Sequence, residues 1–352
     1  MLKILFRVDG SQRIGMGHII RCLSLAKELK NAGVEVAFIT KHKEGESKVI
    51  SSGFKAFRIP CDIEDSSEGF YYGSPEDLIE ESGYIINLIS NVKPQILIID
   101  SYNVSMDFFS ALKQEVKTVY IDDINRFNYP VDMIINGNIN ATDLNYTKHT
   151  VAEQMLLGID YNMIRNEFKD LPKRIVAKEI TQIMITTGGS DLFGLSQKLS
   201  KWILTNSKFE NIQINLIVGS AFSNKSELNK LALEHKNFVL YENPKKISEI
   251  MLQSDIAISS GGSTLYELCA CGTPTISFIV ADNQLGIVLR MNELGLVQSI
   301  GWHNELEEES LIKNLSNLME NFEKRKEISS NGQKLVDGNG CSRIVEKLLQ
   351  MI

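Results

Sequence analysis

Ile96-Leu97-Ile98-Ile99 is a run of apolar residues with no polar side chain inside it. A strand that is apolar at every position is typical of a parallel sheet with both faces covered. Similar runs alternate with longer amphipathic segments along the chain; for example, the strand candidate Ile4–Val8 precedes the helix candidate Ile19–Ala32. The strand candidates are Ile4–Val8, Val34–Ile39, Ile96–Ile99, Thr118–Ile121, Gln182–Thr186, Ile212–Val218, Phe238–Tyr241, Ile256–Ser259 and Thr275–Ile279. This alternation predicts an α/β protein built from repeated strand–helix units.

The strand–helix alternation occurs twice. It weakens across Lys169–Glu179, a polar and basic stretch where we expect a linker, and resumes at Gln182–Thr186. The sequence therefore predicts an N-terminal Rossmann-like domain over residues 1–170 and a second over 180–335. We expect two doubly wound sheets that face each other across a central cleft. The last segment, 336–352, is expected to form a helix that packs back on the N-terminal domain.

Length and composition restrict the class of protein. The chain has 352 residues, of which 43% are hydrophobic and 23% charged, typical of a globular protein with about two domains. Its net charge of −7 argues against a nucleic-acid partner but not against an anionic small molecule in a locally positive pocket. No apolar stretch approaches the roughly 20 residues that span a bilayer, and the N-terminal run is too short for a secretory signal. We expect a cytoplasmic protein without a membrane span; its oligomeric state is not indicated.

The motifs of several enzyme classes are missing from the sequence. The five cysteines follow no disulfide framework, and we interpret them as small buried hydrophobes. No His-Glu-x-x-His motif or Cys/His cluster suggests a metal, and no cofactor is expected. The dinucleotide fingerprint after the first strand, the P-loop and the Gly-x-Ser-x-Gly elbow are also absent. These absences argue against hydride transfer, P-loop phosphoryl transfer and serine hydrolysis.

The loop after the first strand contains Gly15-Met16-Gly17-His18. Glycines allow the backbone to approach a ligand closely, and His18 falls in the first turn of the following helix. A helix N-terminus favours anions and keeps a nearby imidazole neutral, which suits a general base. A histidine that only caps its own helix would give the same pattern. Arg21 lies three residues on along the same helix face, where it meets either a phosphate or a surface carboxylate.

Two glycine loops in the second half each join a strand to a helix. They are Thr186-Thr187-Gly188-Gly189-Ser190-Asp191 and Ser259-Ser260-Gly261-Gly262-Ser263-Thr264. Their amides and hydroxyls suit a phosphate or diphosphate, although any tight strand–helix turn resembles the first loop. Glu267 follows about one turn into the next helix, where it either accepts hydrogen bonds from two ribose hydroxyls or is an ordinary first-turn glutamate. The pattern favours a nucleotide-linked substrate.

These residues carry a resemblance to a known family. Phe6-Arg7-Val8-Asp9, Gly15-Met16-Gly17-His18 and Arg21 resemble the N-terminal signature of the UDP-sugar hydrolases of pseudaminic acid biosynthesis, which cleave UDP-2,4-diacetamido-2,4,6-trideoxy-β-L-altropyranose. Further segments match in the same order, so that the resemblance covers nearly the whole chain. They are Ile98-Ile99-Asp100-Ser101-Tyr102, Ile121-Asp122-Asp123, Tyr161-Asn162-Met163-Ile164-Arg165-Asn166-Glu167-Phe168, Thr187-Gly188-Gly189-Ser190-Asp191 and Asp337-Gly338-Asn339-Gly340.

That family is similar to the GT-B glycosyltransferases, especially the peptidoglycan N-acetylglucosaminyltransferase. The stretch from Gly261 to Pro274 shares their donor-binding pattern. The resemblance implies a GT-B fold, UDP on the C-terminal half, and water rather than an acceptor sugar at the anomeric carbon. The free sugar would serve nonulosonic (pseudaminic) acid biosynthesis for flagellin or surface glycans. The loop 61–75 matches no signature of the family, which leaves the exact sugar open.

The residues and the resemblance together suggest roles for single residues. His18 is expected to be the general base on water, and Asp9, at the end of the first strand, to orient His18 or a sugar hydroxyl. Arg165 is expected at the nucleotide or its phosphates, or else in a surface ion pair. The expected catalytic residues are thus His18 and Asp9. The expected substrate-binding residues are Gly17, Arg21, Tyr161, Arg165, Gly188, Gly189, Ser190, Gly261, Gly262, Ser263, Thr264, Glu267, Asn283 and Gln284.

Two other functions fit the same pattern. A glycosyltransferase would use His18 to deprotonate an acceptor hydroxyl, and an exposed apolar or basic patch for a lipid-linked acceptor would favour it. No amphipathic basic helix stands out in the sequence. A non-catalytic protein that binds a nucleotide sugar would keep Glu267 and the glycine loops but would need no base at position 18. In every case the expected partner is a small UDP-sugar, not a nucleic acid.

Overall fold

A computed structural model describes residues 2–11, 14–60, 75–146 and 152–352 of the protein. Residues 61–74 of the loop 61–75, which matches no signature of the family, lie outside the described residues. The chain folds into two compact units. The first consists of Met1–Met163 together with Asn339–Ile352, and the second of Ile164–Gly338. The polar stretch Lys169–Glu179 therefore belongs to the second unit.

Strands and helices alternate in both units. In chain order the strands are β1 (Lys3–Val8), β2 (Glu35–Thr40), β3 (Lys55–Arg58), β4 (Ile96–Asp100), β5 (Lys117–Ile121), β6 (Met133–Asn136), β7 (Gln154–Leu157), β8 (Gln182–Thr186), β9 (Gln213–Val218), β10 (Phe238–Glu242), β11 (Ile256–Ser260), β12 (Thr275–Ile279) and β13 (Gln298–Trp302). The helices are α1 (Gly17–Asn31), α2 (Lys43–Ser51), α3 (Pro75–Val92), α4 (Met106–Lys113), α5 (Leu195–Leu204), α6 (Lys225–Glu234), α7 (Ile247–Gln253), α8 (Thr264–Cys271), α9 (Asp282–Glu293), α10 (Glu308–Glu320), α11 (Phe322–Leu335) and α12 (Gly340–Gln350). Each strand candidate coincides with an observed strand to within one residue at either end, whereas the sequence patterns do not predict β3, β6, β7 or β13.

The first unit contains a seven-stranded parallel sheet in the order β3-β2-β1-β4-β5-β6-β7. Strand β4 carries the apolar run Ile96–Ile99 and ends at Asp100, and every one of its residues is buried. Ile96 and Ile98 pack into the cluster that contains residues of α1. Leu97 and Ile99 pack into the cluster on the opposite face. Both faces of this sheet are therefore covered, as the uninterrupted apolar run predicts.

Helix α12, at the end of the chain, is part of the first unit. Ile344 and Leu348 lie in the same hydrophobic cluster as residues of α1. The hydroxyl of Ser342 donates a hydrogen bond of 2.6 Å to Oε1 of Glu28 on α1. Among the described residues, no helix is long and apolar enough to cross a membrane.

The second unit contains a six-stranded parallel sheet in the order β10-β9-β8-β11-β12-β13. Two arginines link the stretch 169–179 to helices of the second unit. Arg174 donates to the carbonyl of Leu252, at the end of α7, at 3.1 Å and also to that of Ser254. Arg325 donates to the carbonyls of Ala177 and Lys178 at 2.9 and 2.8 Å. These bonds give the stretch 169–179 fixed contacts with α7 and α11, although most of its residues are exposed.

Each sheet starts in its middle and grows outward in both directions. The first strand of each unit, β1 or β8, lies beside the fourth, β4 or β11. The helices that lead outward in one direction cover one face of the sheet, and those that lead in the other direction cover the opposite face, as α1 and α2 against α3 and α4 show in the first unit. The chain diverges above the carboxyl ends of these two strands. Open α/β sheets bind ligands at this switch point. In each unit, a ligand site is therefore expected at the loops after the first and fourth strands.

Candidate active site and nucleotide site

His18, which follows the glycine loop after β1, is paired with a carboxylate from β4. His18 is the second residue of α1, whose N-terminus has no side-chain cap. Its Nδ1 lies 2.6 Å from Oδ1 of Asp100, the last residue of β4. A carboxylate only accepts hydrogen bonds, so the proton resides on Nδ1 and Nε2 is left as an acceptor. With this tautomer, the 3.2 Å approach of Arg21 Nη2 to the same Nδ1 is a contact between two donors and not a hydrogen bond.

Arg21 joins two carboxylates rather than facing solvent. Its Nε and Nη2 donate to the two oxygens of Asp100, each at 2.7 Å. Its Nη1 and Nη2 donate to Asp123 at 2.8 and 2.9 Å. Of the two expectations for Arg21, the structure supports pairing with carboxylates, although these lie beside His18 and not on an outer surface.

The charges of this network favour the two carboxylates in their ionised form. Burial raises the pKa of Asp100, but Arg21 and His18 outweigh it, so the pKa is below its ordinary value. Burial likewise raises the pKa of Asp123, and Arg21 lowers it by more. With a neutral His18, the network carries two negative charges and one positive charge. Its net negative charge favours a positive charge that develops beside it.

Polar groups from the neighbouring loops complete the network. The hydroxyl of Tyr102 and Nδ2 of Asn138 each donate to Asp123 at 2.8 Å. The Tyr102 ring also meets the His18 ring edge-on, with centroids 5.0 Å apart. These residues follow the carboxyl ends of β4, β5 and β6, so adjacent strands deliver them to one place. Sequence reasoning assigned no role to Asp100, Tyr102, Asp123 or Asn138 beyond the family resemblance of the segments around the first three.

Asp9 does not occupy the position that the sequence suggests. Its carboxylate accepts hydrogen bonds from Arg7 Nη2 at 2.7 Å and from the Lys41 amide at 2.8 Å. Burial raises the pKa of Asp9, but the Arg7 guanidinium outweighs burial and brings the pKa down to about 2. The carboxylate that contacts His18 is Asp100. The expectation that Asp9 orients His18 is corrected accordingly.

Two of the expected substrate-binding residues, Gly17 and Tyr161, are part of the local structure of the first unit. Gly17 is the exposed first residue of α1. Tyr161 ends a short 3-10 turn, and its side chain packs against the core cluster that includes α1 and α12. Its carbonyl oxygen would lie 2.4 Å from a Cβ at position 137, so Gly137 has to be glycine.

Among the residues that the structure describes, no three His, Cys, Asp or Glu side chains form a group that could hold a metal ion.

The glycine loop 186–191 lies at the carboxyl end of β8, where its backbone packs closely against Gly219. Gly188 has a φ of +95°, a conformation that favours glycine. A Cβ on Gly219, after β9, would lie 2.3 Å from the Gly189 carbonyl oxygen. Asp191 accepts hydrogen bonds from the amides of Leu195 and Ser196 at the start of α5. Ser190 directly precedes Asp191. Gly189 itself is exposed, and nothing lies within 4 Å of its Cβ position, so this part of the loop is open on its outer side.

The second glycine loop leads directly into α8. The helix begins at Thr264 after Ser263, and no side chain caps its N-terminus. A Cβ on Gly261 would lie 2.4 Å from Cγ2 of Val288 on α9. Gly262, by contrast, has open space around its Cβ position. The uncapped amides and the positive end of the helix dipole make this loop suited to a phosphate.

Asn283 and Gln284 lie in the first turn of α9, next to this loop. The Gln284 side chain is bound locally, because its Oε1 accepts from the Val280 amide at 3.0 Å. That oxygen would lie 3.2 Å from a Cβ on Gly261. Asn283 is exposed. The structure thus places both residues beside the second glycine loop.

Glu267 is buried in the first turn of α8 and forms an ion pair with Arg165. Arg165 Nε donates to Oε1 at 2.7 Å, and Nη2 donates to Oε2 at 2.6 Å. The Arg165 side chain is 31% exposed and that of Glu267 is 6% exposed. The sequence offered either a phosphate contact or a surface pair for Arg165; its observed partner is the glutamate expected to bind ribose.

Comparisons with known proteins agree with this architecture. Residues 182–339 match the glycosyltransferase family 28 C-terminal domain. MurG of Acinetobacter baumannii superposes with a TM-score of 0.70 at 13% identity, covering 99% of this chain and 100% of MurG. The likeness shows the fold, and the predicted α/β fold of the GT-B type, with two Rossmann-like sheets, is confirmed.

Two sequence relatives are similar over most of this chain. The uncharacterized protein MJ1062 of Methanocaldococcus jannaschii is 31% identical over 298 residues, which are 81% of this chain and 56% of that protein. This chain therefore spans only about half the length of MJ1062. The UDP-2,4-diacetamido-2,4,6-trideoxy-β-L-altropyranose hydrolase of Campylobacter jejuni is 30% identical over 269 residues, 76% of this chain and 87% of that enzyme. The resemblance read from the sequence is confirmed, and the chain belongs to the family of this Campylobacter hydrolase.

Proposed function

We propose that the protein is an enzyme that acts on a nucleotide sugar. It hydrolyses a UDP-linked 2,4-diacetamido-2,4,6-trideoxy sugar to UDP and the free sugar. The observation that carries the proposal is the His18–Asp100 pair, which fixes the imidazole with Nε2 as the acceptor. The name of the Campylobacter relative supplies the substrate class.

In the proposed reaction, water attacks the anomeric carbon. His18 Nε2 takes a proton from the water, a new carbon–oxygen bond forms, and the bond from the anomeric carbon to the UDP oxygen breaks. Its electron pair leaves with the diphosphate, and His18 later releases the proton to solvent. Asp100 does not take the proton; it holds the ring and stabilises the imidazolium, as in other Asp–His pairs.

The leaving UDP is proposed to bind to the second unit. Amides of Gly188–Ser190 and Gly261–Thr264 face a diphosphate, and the N-terminus of α8 adds a favourable dipole. Glu267 accepts the ribose hydroxyls. Asn283 and Gln284, beside the same loop, contact the hydroxyl or acetamido groups of the sugar. Arg21 is assigned to the carboxylates of the histidine site and not to a phosphate.

The proposal is tested by supplying the UDP-linked diacetamido-trideoxy-altrose with EDTA and no acceptor, in ¹⁸O water. Phosphorus and proton NMR then follow UDP and free sugar. Hydrolysis at the anomeric carbon gives both products, and the UDP carries no ¹⁸O. Label in the β-phosphate would mean attack at phosphorus and would contradict the mechanism.

A glycosyltransferase is the second candidate, because the second half of the chain matches a glycosyltransferase domain. It predicts no release of sugar until an acceptor is added. A protein that only binds would bind UDP and release nothing with any acceptor. His18→Asn separates catalysis from binding, since it removes the base and leaves the second unit unchanged.

A further inference from the structure

The Arg165–Glu267 pair differs from a surface salt bridge in geometry. The guanidinium meets the carboxylate edge to edge, through two parallel bonds of 2.7 and 2.6 Å. Such a fork fixes the plane of the carboxylate as well as its position. The pair fixes a group that is only 6% exposed, on the first turn of α8.

The fork leaves part of the carboxylate available. An ionised carboxylate has about four lone-pair sites, and Arg165 uses one on each oxygen. The remaining site on each oxygen suits one hydroxyl of a vicinal diol. Without Arg165, the same carboxylate would be a buried charge with no cation to compensate it.

Arg165 is itself held from the other side. Its Nη1 lies 3.4 Å from Oε1 of Glu167. Glu167 in turn accepts from the amide and hydroxyl of Ser248, at the start of α7, at 3.2 and 2.8 Å. The Phe168 ring lies 5.3 Å from the Arg165 guanidinium carbon. These contacts tie the guanidinium to α7, and through it they tie Glu267 to α7.

We propose that Arg165 is a positioning residue for ribose recognition and not a ligand of the diphosphate. It acts through Glu267, whose fixed carboxylate accepts the 2′- and 3′-hydroxyls of the nucleotide. The inference rests on the proposed nucleotide site. It predicts that the protein distinguishes ribose from deoxyribose, and that this discrimination requires the guanidinium fork rather than a positive charge.

The test is calorimetric titration of the full chain with UDP, 2′-deoxy-UDP and uridine. The wild type should prefer UDP to 2′-deoxy-UDP by roughly 10- to 100-fold, since a hydrogen bond to a charged group is lost. Arg165→Lys keeps the charge but loses the fork, and should reduce this ratio to below about threefold. The ratio of UDP to uridine affinity, which reports the diphosphate, should stay the same.

A double variant tests whether Arg165 acts through Glu267. Glu267→Gln should lose the ribose preference, and Arg165→Lys/Glu267→Gln should lose no more than either single change, because the two residues act as one unit. Arg165→Gln removes the charge as well as the fork but can still donate one hydrogen bond to Glu267, and it provides a second variant if the lysine variant folds poorly by its melting temperature.

Other outcomes overturn the inference separately from the proposed function. If Arg165→Lys keeps the ribose ratio, Arg165 does not position Glu267 and only this inference fails. If Arg165→Gln weakens the binding of UDP but not of uridine, Arg165 is a phosphate ligand, and again only this inference fails. If the wild type binds UDP without preferring ribose, the inference fails together with the assignment of Glu267 to the ribose, while the proposed hydrolysis is untouched. If the wild type binds neither UDP nor uridine, the proposed nucleotide site fails with it.

Discussion

His18 and Asp100 lie 82 positions apart in the chain, yet Nδ1 of the one is 2.6 Å from Oδ1 of the other. The pairing follows from the sheet, because Val8 of β1 is in register with Asp100 of β4. Val8 packs in the cluster on the α1 face. Asp100 therefore points toward the helix that carries His18, and Arg21 holds it there through two bonds.

The first prediction concerns this pair. We expect Asp100→Asn to lower kcat by up to about 10⁴-fold with little change in KM, because the amide no longer selects the Nδ1–H tautomer. His18→Asn should lower kcat by about 10²–10⁴-fold, the usual contribution of a general base. Steady-state rates of UDP release measure both effects.

Ser24→Ala is the matched control on the same helix. Ser24 is buried in α1, and its hydroxyl donates only to the Ile20 carbonyl of its own helix, at 3.1 Å. Its kcat should equal that of the wild type. Equal rates for Asp100→Asn and Ser24→Ala would remove Asp100 from the mechanism.

The same register explains why the carboxylate beside His18 is Asp100 and not Asp9. Side chains of a strand alternate between the two faces of the sheet. Leu5 packs on the face opposite α1, so Asp9, four residues on, points to that face and meets Arg7 and Lys41. Asp9 and Asp100 both follow apolar runs at adjacent carboxyl ends. Only the pairing of β1 with β4 shows which of them reaches His18.

Asp9 is consequently predicted to contribute to stability rather than to turnover. Asp9→Asn should lower the free energy of unfolding by about 3 kcal/mol, because it leaves the buried Arg7 guanidinium with less compensation. The kcat of the folded enzyme should stay within about threefold of the wild type, since this change does not alter the general base. Urea unfolding and steady-state kinetics on one preparation measure the two. A large fall in kcat with normal stability would restore Asp9 as a catalytic residue.

The stability contribution of Asp9 should also depend on pH. Its pKa is about 2 in the folded protein, below the ordinary 3.8. A lowered pKa stabilises the fold above the ordinary value, here by about 2 kcal/mol, and the gain is lost as the pH falls from 3.8 through 2. The difference in unfolding free energy between the wild type and Asp9→Asn should therefore shrink between pH 5 and pH 2. A constant difference over that range would contradict the assignment.

Much of the fold was accessible from the apolar runs, and the exceptions share physical features. β3 and β13 lie at sheet edges, and their residues are half-buried or exposed, so no apolar run identifies them. β6 is buried but has only four residues. Glycine loops are visible in sequence because they need small residues. The Arg165–Glu267 pair joins positions 102 apart and has no local signal.

A buried arginine in the second unit leads to a prediction about stability. Arg325 is fully buried and donates to the carbonyls of Leu318, Met319, Ala177 and Lys178. We expect Arg325→Met to cost about 3 kcal/mol or more, because it fills the space but leaves buried carbonyls unsatisfied. Lys324→Ala, one residue earlier, breaks only an exposed pair with Glu327 and should cost about 0.5 kcal/mol. Equal melting temperatures for the two variants would contradict this reading.

The second glycine loop allows packing and ligand binding to be separated by two adjacent alanine substitutions. In Gly261→Ala, the new Cβ would lie 2.4 Å from Val288 Cγ2, so it pushes against α9 and should cost about 1–3 kcal/mol. Val288→Ala in the same chain removes that obstacle and should recover part of the stability. In Gly262→Ala, nothing lies within 4 Å of the new Cβ, and the melting temperature should hardly change. If a diphosphate lies against this loop, the added methyl occupies its space, and UDP affinity should fall about tenfold or more. A stable Gly262→Ala protein that binds UDP as tightly as the wild type would place the diphosphate elsewhere.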